Sequence, residues 1–211
     1  MMRRKLLLII LLLSSFLSSA TAGNMTGKPP FNRIRLTVEW GYTQCVFLYR
    51  DYNFISDEGY RVYDHSRGFN WRPNAHFMAR VGLPLSAHSV LSLCTGYIGV
   101  GKDNRLLPVT FRYDFYPHAF YEDGIFIFAQ AGTAWHIHTT AGQMALLGTT
   151  GCGYRFRLSN DCALDLLMGL KYLRDHPALP DPERPGNVPE HNIRKNVAGY
   201  CALDISVAVS F

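Results

Sequence analysis

The sequence is short of several things, and each shortage removes a class of protein. Beyond residue 22 no apolar run approaches the roughly 20 residues of a membrane-crossing helix, and no stretch holds an apolar stripe at the helical period. The chain therefore reads neither as a helical bundle nor as a helical membrane protein. Lysine is scarce: after residue 22 it occurs only as Lys28, Lys102, Lys171 and Lys195. Cys45, Cys94, Cys152, Cys162 and Cys201 form no C-x-x-C pair and no metal-like spacing, and their odd number argues against an obligatory disulfide framework. Excess charge is missing too. The formal net charge of +5 includes Arg3, Arg4 and Lys5, and without residues 1–22 it falls to +2, which gives no ground for a nucleic-acid partner.

What is present begins with "MMRRKLLLIILLLSSFLSSATAG". It has a basic start, an apolar run from Leu6 to Leu13 and a small-residue end at Ala20-Thr21-Ala22. That order is a secretory signal peptide over residues 1–22, with cleavage expected after Ala22. No cysteine follows the cleavage site directly, so a lipid anchor is not indicated.

From residue 33 onward the chain alternates between apolar and small or polar residues at period two. Strands are expected near 33–44, 74–82, 90–99, 107–116, 124–138, 145–156, 163–173 and 200–211, with the sixth the least regular. The fold class is therefore all-β, and the natural architecture is an eight-stranded antiparallel up-and-down barrel. The connections after the second, fourth and sixth strands are short. Long loops are expected at about 45–72 and 174–192, an asymmetry of transmembrane barrels that the short third and fifth connections match only by half. The first of these loops interleaves aromatics with charges. It suits either a recognition surface or a hairpin that extends the first two strands and packs on itself.

Alternation does not say which face looks inward. The polar face does, because it holds mostly Gly, Ala, Ser and Thr instead of the Lys and Glu that water would invite, and small residues suit a crowded eight-stranded interior. Its charges mix in sign: Arg35, Arg80, Arg112, Arg155 and Lys171 with Glu39, Asp114, Asp165 and Asp204. Buried charges persist when paired, so a lumen network that plugs the barrel is expected. If odd strands run outward, Trp40, Tyr42, Tyr97, Trp135 and Tyr172 fall near the outer rim. Phe115, Tyr154, Phe156 and Phe211 then fall near the inner rim, giving two interface girdles.

These features, above all the final strand "LDISVAVSF" with its terminal aromatic, resemble small eight-stranded outer-membrane barrels of the OmpA/OmpX type, among the porin-like outer-membrane β-barrel domains. The resemblance covers residues 32–211, with 23–31 left as a short periplasmic segment. It implies a monomer in the outer membrane of a Gram-negative-type cell envelope, in contact with outer-membrane lipid and lipopolysaccharide. It also implies that Phe211 belongs to the signal read by the barrel-assembly machinery. An extracellular ligand is left unnamed.

Some barrels of this kind modify lipids, so catalytic constellations matter. His136 and His138 share a strand face, and Asp64-His65-Ser66 has triad residue types, but neither has the spacing of a working site. Two histidines fall short of a zinc ligand set. No catalytic, cofactor-binding or metal-binding residue is assigned, and no cofactor is expected. A structural or surface-recognition role leads; a lipid-modifying hydrolase and a secreted lipocalin-like binding barrel remain as alternatives.

Overall fold

The structure, a computed structural model, describes residues 34–56, 58–100, 104–137, 144–181 and 185–211. The leader 1–22, the segment 23–31 and His138 lie outside the described residues. Eight strands follow one another: β1 (Arg35–Ile55), β2 (Arg61–Ser86), β3 (Ser89–Val100), β4 (Asn104–Phe115), β5 (Gly124–His136), β6 (Ala145–Arg157), β7 (Ala163–Asp175) and β8 (Ile193–Ser210). Each pairs antiparallel with the next, and β8 pairs with β1, so the sheet closes into an up-and-down barrel without a free edge. At the seam Phe211 N donates to Leu36 O at 2.8 Å and Leu36 N donates to Phe211 O at 3.2 Å.

The polar face is the inner one. Glu39, Arg80, Arg112, Asp165 and Asp204 are buried, whereas Phe111, Ile127, Met168 and Ile205 on the opposite faces are exposed. The sequence expectation that the apolar face points outward matches the structure, and the reverse arrangement of a lipocalin-type barrel does not.

The long first loop is where the structure departs from the sequence. Residues 45–72 are almost all strand: β1 and β2 continue together to Ile55 and Arg61 as a projecting hairpin. The charge density there suggests a loop. However, aromatic residues interleaved with those charges pair across the hairpin, as in Phe47 edge-on to Phe69 at 6.3 Å and Arg67 over Tyr49 at 5.1 Å. A bulge between Cys45 and Phe47 switches the faces. Below it Thr43 and Cys45 point inward, and beyond it Leu48, Tyr52 and Phe54 do, leaving Tyr49 and Asp51 on the outer face. The tip turns on Gly59, whose φ of +88° suits a residue without a Cβ.

The second long loop is anchored. Its Leu179 and Val188 are buried against Phe54 of the hairpin, Pro180 bridges Asn187, and a 3-10 turn over Glu190–Asn192 leads into β8.

The interior is built in three layers. Beneath the hairpin lies an apolar cluster that includes Met78, Ile98, Leu106, Leu147, Leu173 and Tyr200. A charged layer fills the middle, and a second cluster of Tyr116, Phe120, Phe126, Phe128 and Leu167 closes the far end. Phe120 comes from the β4–β5 connection, which tucks under the β2–β3 turn through Phe120 N to Ala87 O and Tyr116 N to His88 O, both 2.8 Å.

Candidate functional site

Two places concentrate polar chemistry: the middle of the lumen and the outer mouth. In the lumen Arg112 is 1% exposed. Its Nε donates to Asp114 Oδ1 at 2.7 Å, its Nη1 reaches Glu39 Oε2 at 3.5 Å, and its guanidinium lies 3.7 Å from the centre of the Phe128 ring. Arg80 stands 3.3 Å from Glu39 as an ion pair without hydrogen-bond geometry, and 4.0 Å from Asp114. On the other side Lys171 Nζ donates to Asp204 Oδ1 at 3.0 Å and to Thr43 Oγ1 at 3.1 Å. His76 joins the two halves: its Nε2 is 3.4 Å from Glu39 and its Nδ1 is 3.3 Å from Asp204. Ser206 Oγ donates to Glu39 Oε1 at 2.9 Å.

A separate pair lies toward the inner end. Arg155 forms two bonds of 2.7 Å to Asp165, donates to Phe120 O at 2.8 Å and stacks on Tyr116 at 4.8 Å. Arg35 lies over the other face of this cluster, 5.2 Å from Phe120.

The structure thus brings Glu39, Arg80, Arg112 and Asp114 into one group, Lys171 with Asp204 into a second, and Asp165 with Arg155 into a third. His76, Thr43 and Ser206, which tie the first two together, were legible only as inward positions of their strands. Nothing in their residue types marked them as connectors.

Among the described residues Glu39, His76 and Asp204 form one group of metal-ligand type, with ligand atoms within 4.8 Å of one another. Arg80, Arg112 and Lys171 already stand on those carboxylates. A metal cation would meet their repulsion, so donor chemistry alone does not make this a metal centre. The void between these side chains is about 10 Å³, at the lower limit for one water molecule.

On the outer surface Trp40, Tyr42, Tyr97, Phe115, Trp135, Tyr154, Tyr172 and Phe211 all face away from the lumen and are exposed. Trp40 and Tyr42 lie along β1 between Val38 and Phe47, well before the strand's far end. Phe69 and Trp71 extend the aromatic surface up the hairpin. All five cysteines are free, with Cys45 and Cys94 buried and Cys152 and Cys201 exposed.

At the outer end, Asp51 lies on the outer face of the hairpin. It accepts from Tyr49 Oη at 2.8 Å and from Lys195 Nζ at 2.5 Å. The Lys195 bond, followed by the Tyr49 bond, holds the Asp51 carboxyl below its usual range, and Asp51 in turn raises the Lys195 ammonium. Asp64, His65 and Ser66 do not assemble. His65 turns outward against Tyr49 and Tyr63, 3.7 Å from Asp51, while its two neighbours take the other face of β2.

His136 faces the lumen mouth, and its Nε2 lies 2.8 Å from Asp175 Oδ1. Among the described residues no serine, threonine or cysteine side chain bonds this histidine. Above it opens a cavity of about 690 Å³ between the inner face of the hairpin and residues 177–180.

No family model matches the chain, and no curated protein is similar to it. Among solved structures, one titled "NanC porin structure in rhombohedral crystal form" aligns with 82% of this chain and 98% of its own, at a TM-score of 0.31 and 11% identity. At that level neither fold detail nor function is read across.

Proposed function

We propose that this protein is an integral outer-membrane β-barrel of a Gram-negative-type envelope, plugged inside and acting in a structural or surface-recognition role through its outer end. The observation that carries this reading is the inverted polarity of the barrel. Charged side chains fill the interior, while Phe111, Ile125, Ile127, Met168, Leu170 and Ile205 stand 55–63% exposed on the outside. A continuous apolar belt of that kind is untenable in water and natural in a bilayer. Closure of the sheet pairs the strands with one another all the way round the ring, which is the condition for strands to cross lipid.

The rest of the reading is consistent with export and insertion. Residues 1–22 carry the protein across the inner membrane, and 23–31 is a short periplasmic lead. The belt contacts outer-membrane lipid and lipopolysaccharide. The barrel-assembly machinery inserts the chain, with β8 and Phe211 as the strand it receives, and the folded protein is a monomer. The layered interior opposes a pore function.

The test is electrophoretic mobility of detergent-extracted protein, boiled against unboiled, together with conductance in planar bilayers. A heat-dependent shift without conductance above background is expected. Recovery in the aqueous fraction with no shift sinks the proposal.

A further inference from the structure

We infer that the cavity at the outer mouth binds a small organic anion, a carboxylate or phosphate carried on an apolar or ring-shaped body. The inference rests on the reading of this end as the outer, ligand-facing one, and it names what that end recognises.

The cavity's volume of about 690 Å³ falls in the range of small-molecule sites. Its charge has one sign. Among the described residues Arg50 from β1, Arg72 from β2 and His136 from β5 turn toward it and no aspartate or glutamate lines it, while Arg67, at its edge, carries its guanidinium over Tyr49 on the outer face. Among the described residues no carboxylate forms an ion pair with Arg50 or Arg72, so these guanidiniums keep their charge for a visitor. Asp175 is the nearest acid behind the histidine. It is fully buried and bonded to the ring, so it orients His136 without presenting itself to the cavity. Asp64, which pairs in register with Tyr52, is not part of the lining.

A planar guanidinium presents paired donors that match a carboxylate or phosphate, and Arg50, opposite Ser66, and Arg72, opposite Cys45, offer two such forks at different heights of the same cavity. Beside the polar Ser66 and Asn70, the lining includes Tyr52, Tyr200, Leu48 and Leu179 with the prolines of residues 177–180. That half of the site is suited to an apolar or cyclic body. The walls are fixed, because Leu179 is packed on Phe54 and Tyr200 belongs to the apolar cluster beneath. A pre-formed site loses little affinity to ordering.

Such an anion could arrive free from the medium or as the headgroup of an outer-leaflet lipid, and the experiment separates the two. Full-length protein in neutral detergent is titrated calorimetrically with phenyl phosphate, benzoate, benzyl alcohol and, separately, lipopolysaccharide micelles. Arg50→Gln and Arg72→Gln are the test variants; both side chains are exposed, and the heat-shifted mobility of each variant checks that the barrel remains. Arg157→Gln, at the opposite end of the barrel, is the control.

Phenyl phosphate or benzoate should bind, benzyl alcohol should not, and each test variant should weaken binding about tenfold or more while the control does not. Binding only to lipopolysaccharide, weakened by the same two variants, keeps the anion site and assigns it to a lipid headgroup. Equal binding of benzyl alcohol, or affinities untouched by Arg50→Gln and Arg72→Gln, overturns the inference. Absence of anion binding by the unaltered protein with its mobility shift intact refutes the site alone, whereas loss of the shift in the unaltered protein refutes the barrel reading.

Discussion

His76 lies directly against Gly41: a Cβ on residue 41 would fall 2.5 Å from His76 Cε1, 2.5 Å from Ile205 O and 2.4 Å from Ser206 Cβ. Glycine is needed here for close approach, since the imidazole reaches both Glu39 and Asp204 only by lying over β1. Gly41→Ala should therefore displace the ring and cost about 1–3 kcal/mol, the range for an overfilled interior. Gly148→Ala, where nothing lies within 4 Å, should cost far less. Urea unfolding in phospholipid vesicles, followed by tryptophan fluorescence, compares the two.

Removing one partner from the lumen network should cost more than removing the whole group. Arg112→Met leaves Glu39 and Asp114 facing each other with only Arg80 between them. A loss of about 3–5 kcal/mol is expected for such an uncompensated buried charge. Adding Asp114→Asn to Arg112→Met should restore part of it. If the double variant is less stable than the single one in the same unfolding assay, Asp114 is not the group left unpaired.

The belt predicts a depth-dependent penalty. Met168→Arg and Phe111→Arg place a guanidinium on the outward face midway along β7 and β4. Each should cost about 2–4 kcal/mol in a bilayer. Tyr63→Arg, on the exposed hairpin, should be nearly silent. A barrel standing in water would show the reverse of this order, with the mid-strand arginines tolerated, and that result would falsify the membrane reading.

The hairpin should loosen at both ends of the pH scale. The Asp51 carboxyl is held below its usual value, so its contribution is complete above pH about 4 and fades as pH falls through the lowered value. Lys195 is raised, so its contribution is complete below pH about 10.4 and fades as pH rises beyond that. Between these limits the β1–β8 extension, where Asn53 pairs with Lys195, should be at its tightest. Amide exchange of residues 49–53 at pH 3 and pH 7 measures it. Asp51→Asn should remove most of the difference, and an undiminished acid effect in that variant counts against the pair.

The fold was legible because the alternation is redundant. In strands such as β4, with Leu107, Val109, Phe111, Tyr113 and Phe115 opposite Thr110, Arg112 and Asp114, a shift by one residue would reverse every side chain. The lumen charges could be read for the same reason. Their pairing could not, because Glu39 and Arg112 are 73 residues apart and meet only across the ring. The hairpin was ambiguous because Arg50, Asp51, Arg61 and Arg67 look like loop residues until Phe47, Tyr49 and Phe69 are seen to pack across two strands. The bulge at Cys45 and Phe47 left no local mark, yet it sends Arg50 and Tyr52 inward to line the mouth.

The sequence by itself determined that the chain is an eight-stranded sheet with apolar faces outward, because period-two patterning and the want of lysine are local properties that survive without contacts. Only the tertiary structure decided where the charges meet. It also made His76 the link between two groups, sealed both ends of the lumen and left Arg50, Arg72 and His136 around one cavity. Those are distances between residues remote in the chain, and they come into being only when β8 closes on β1.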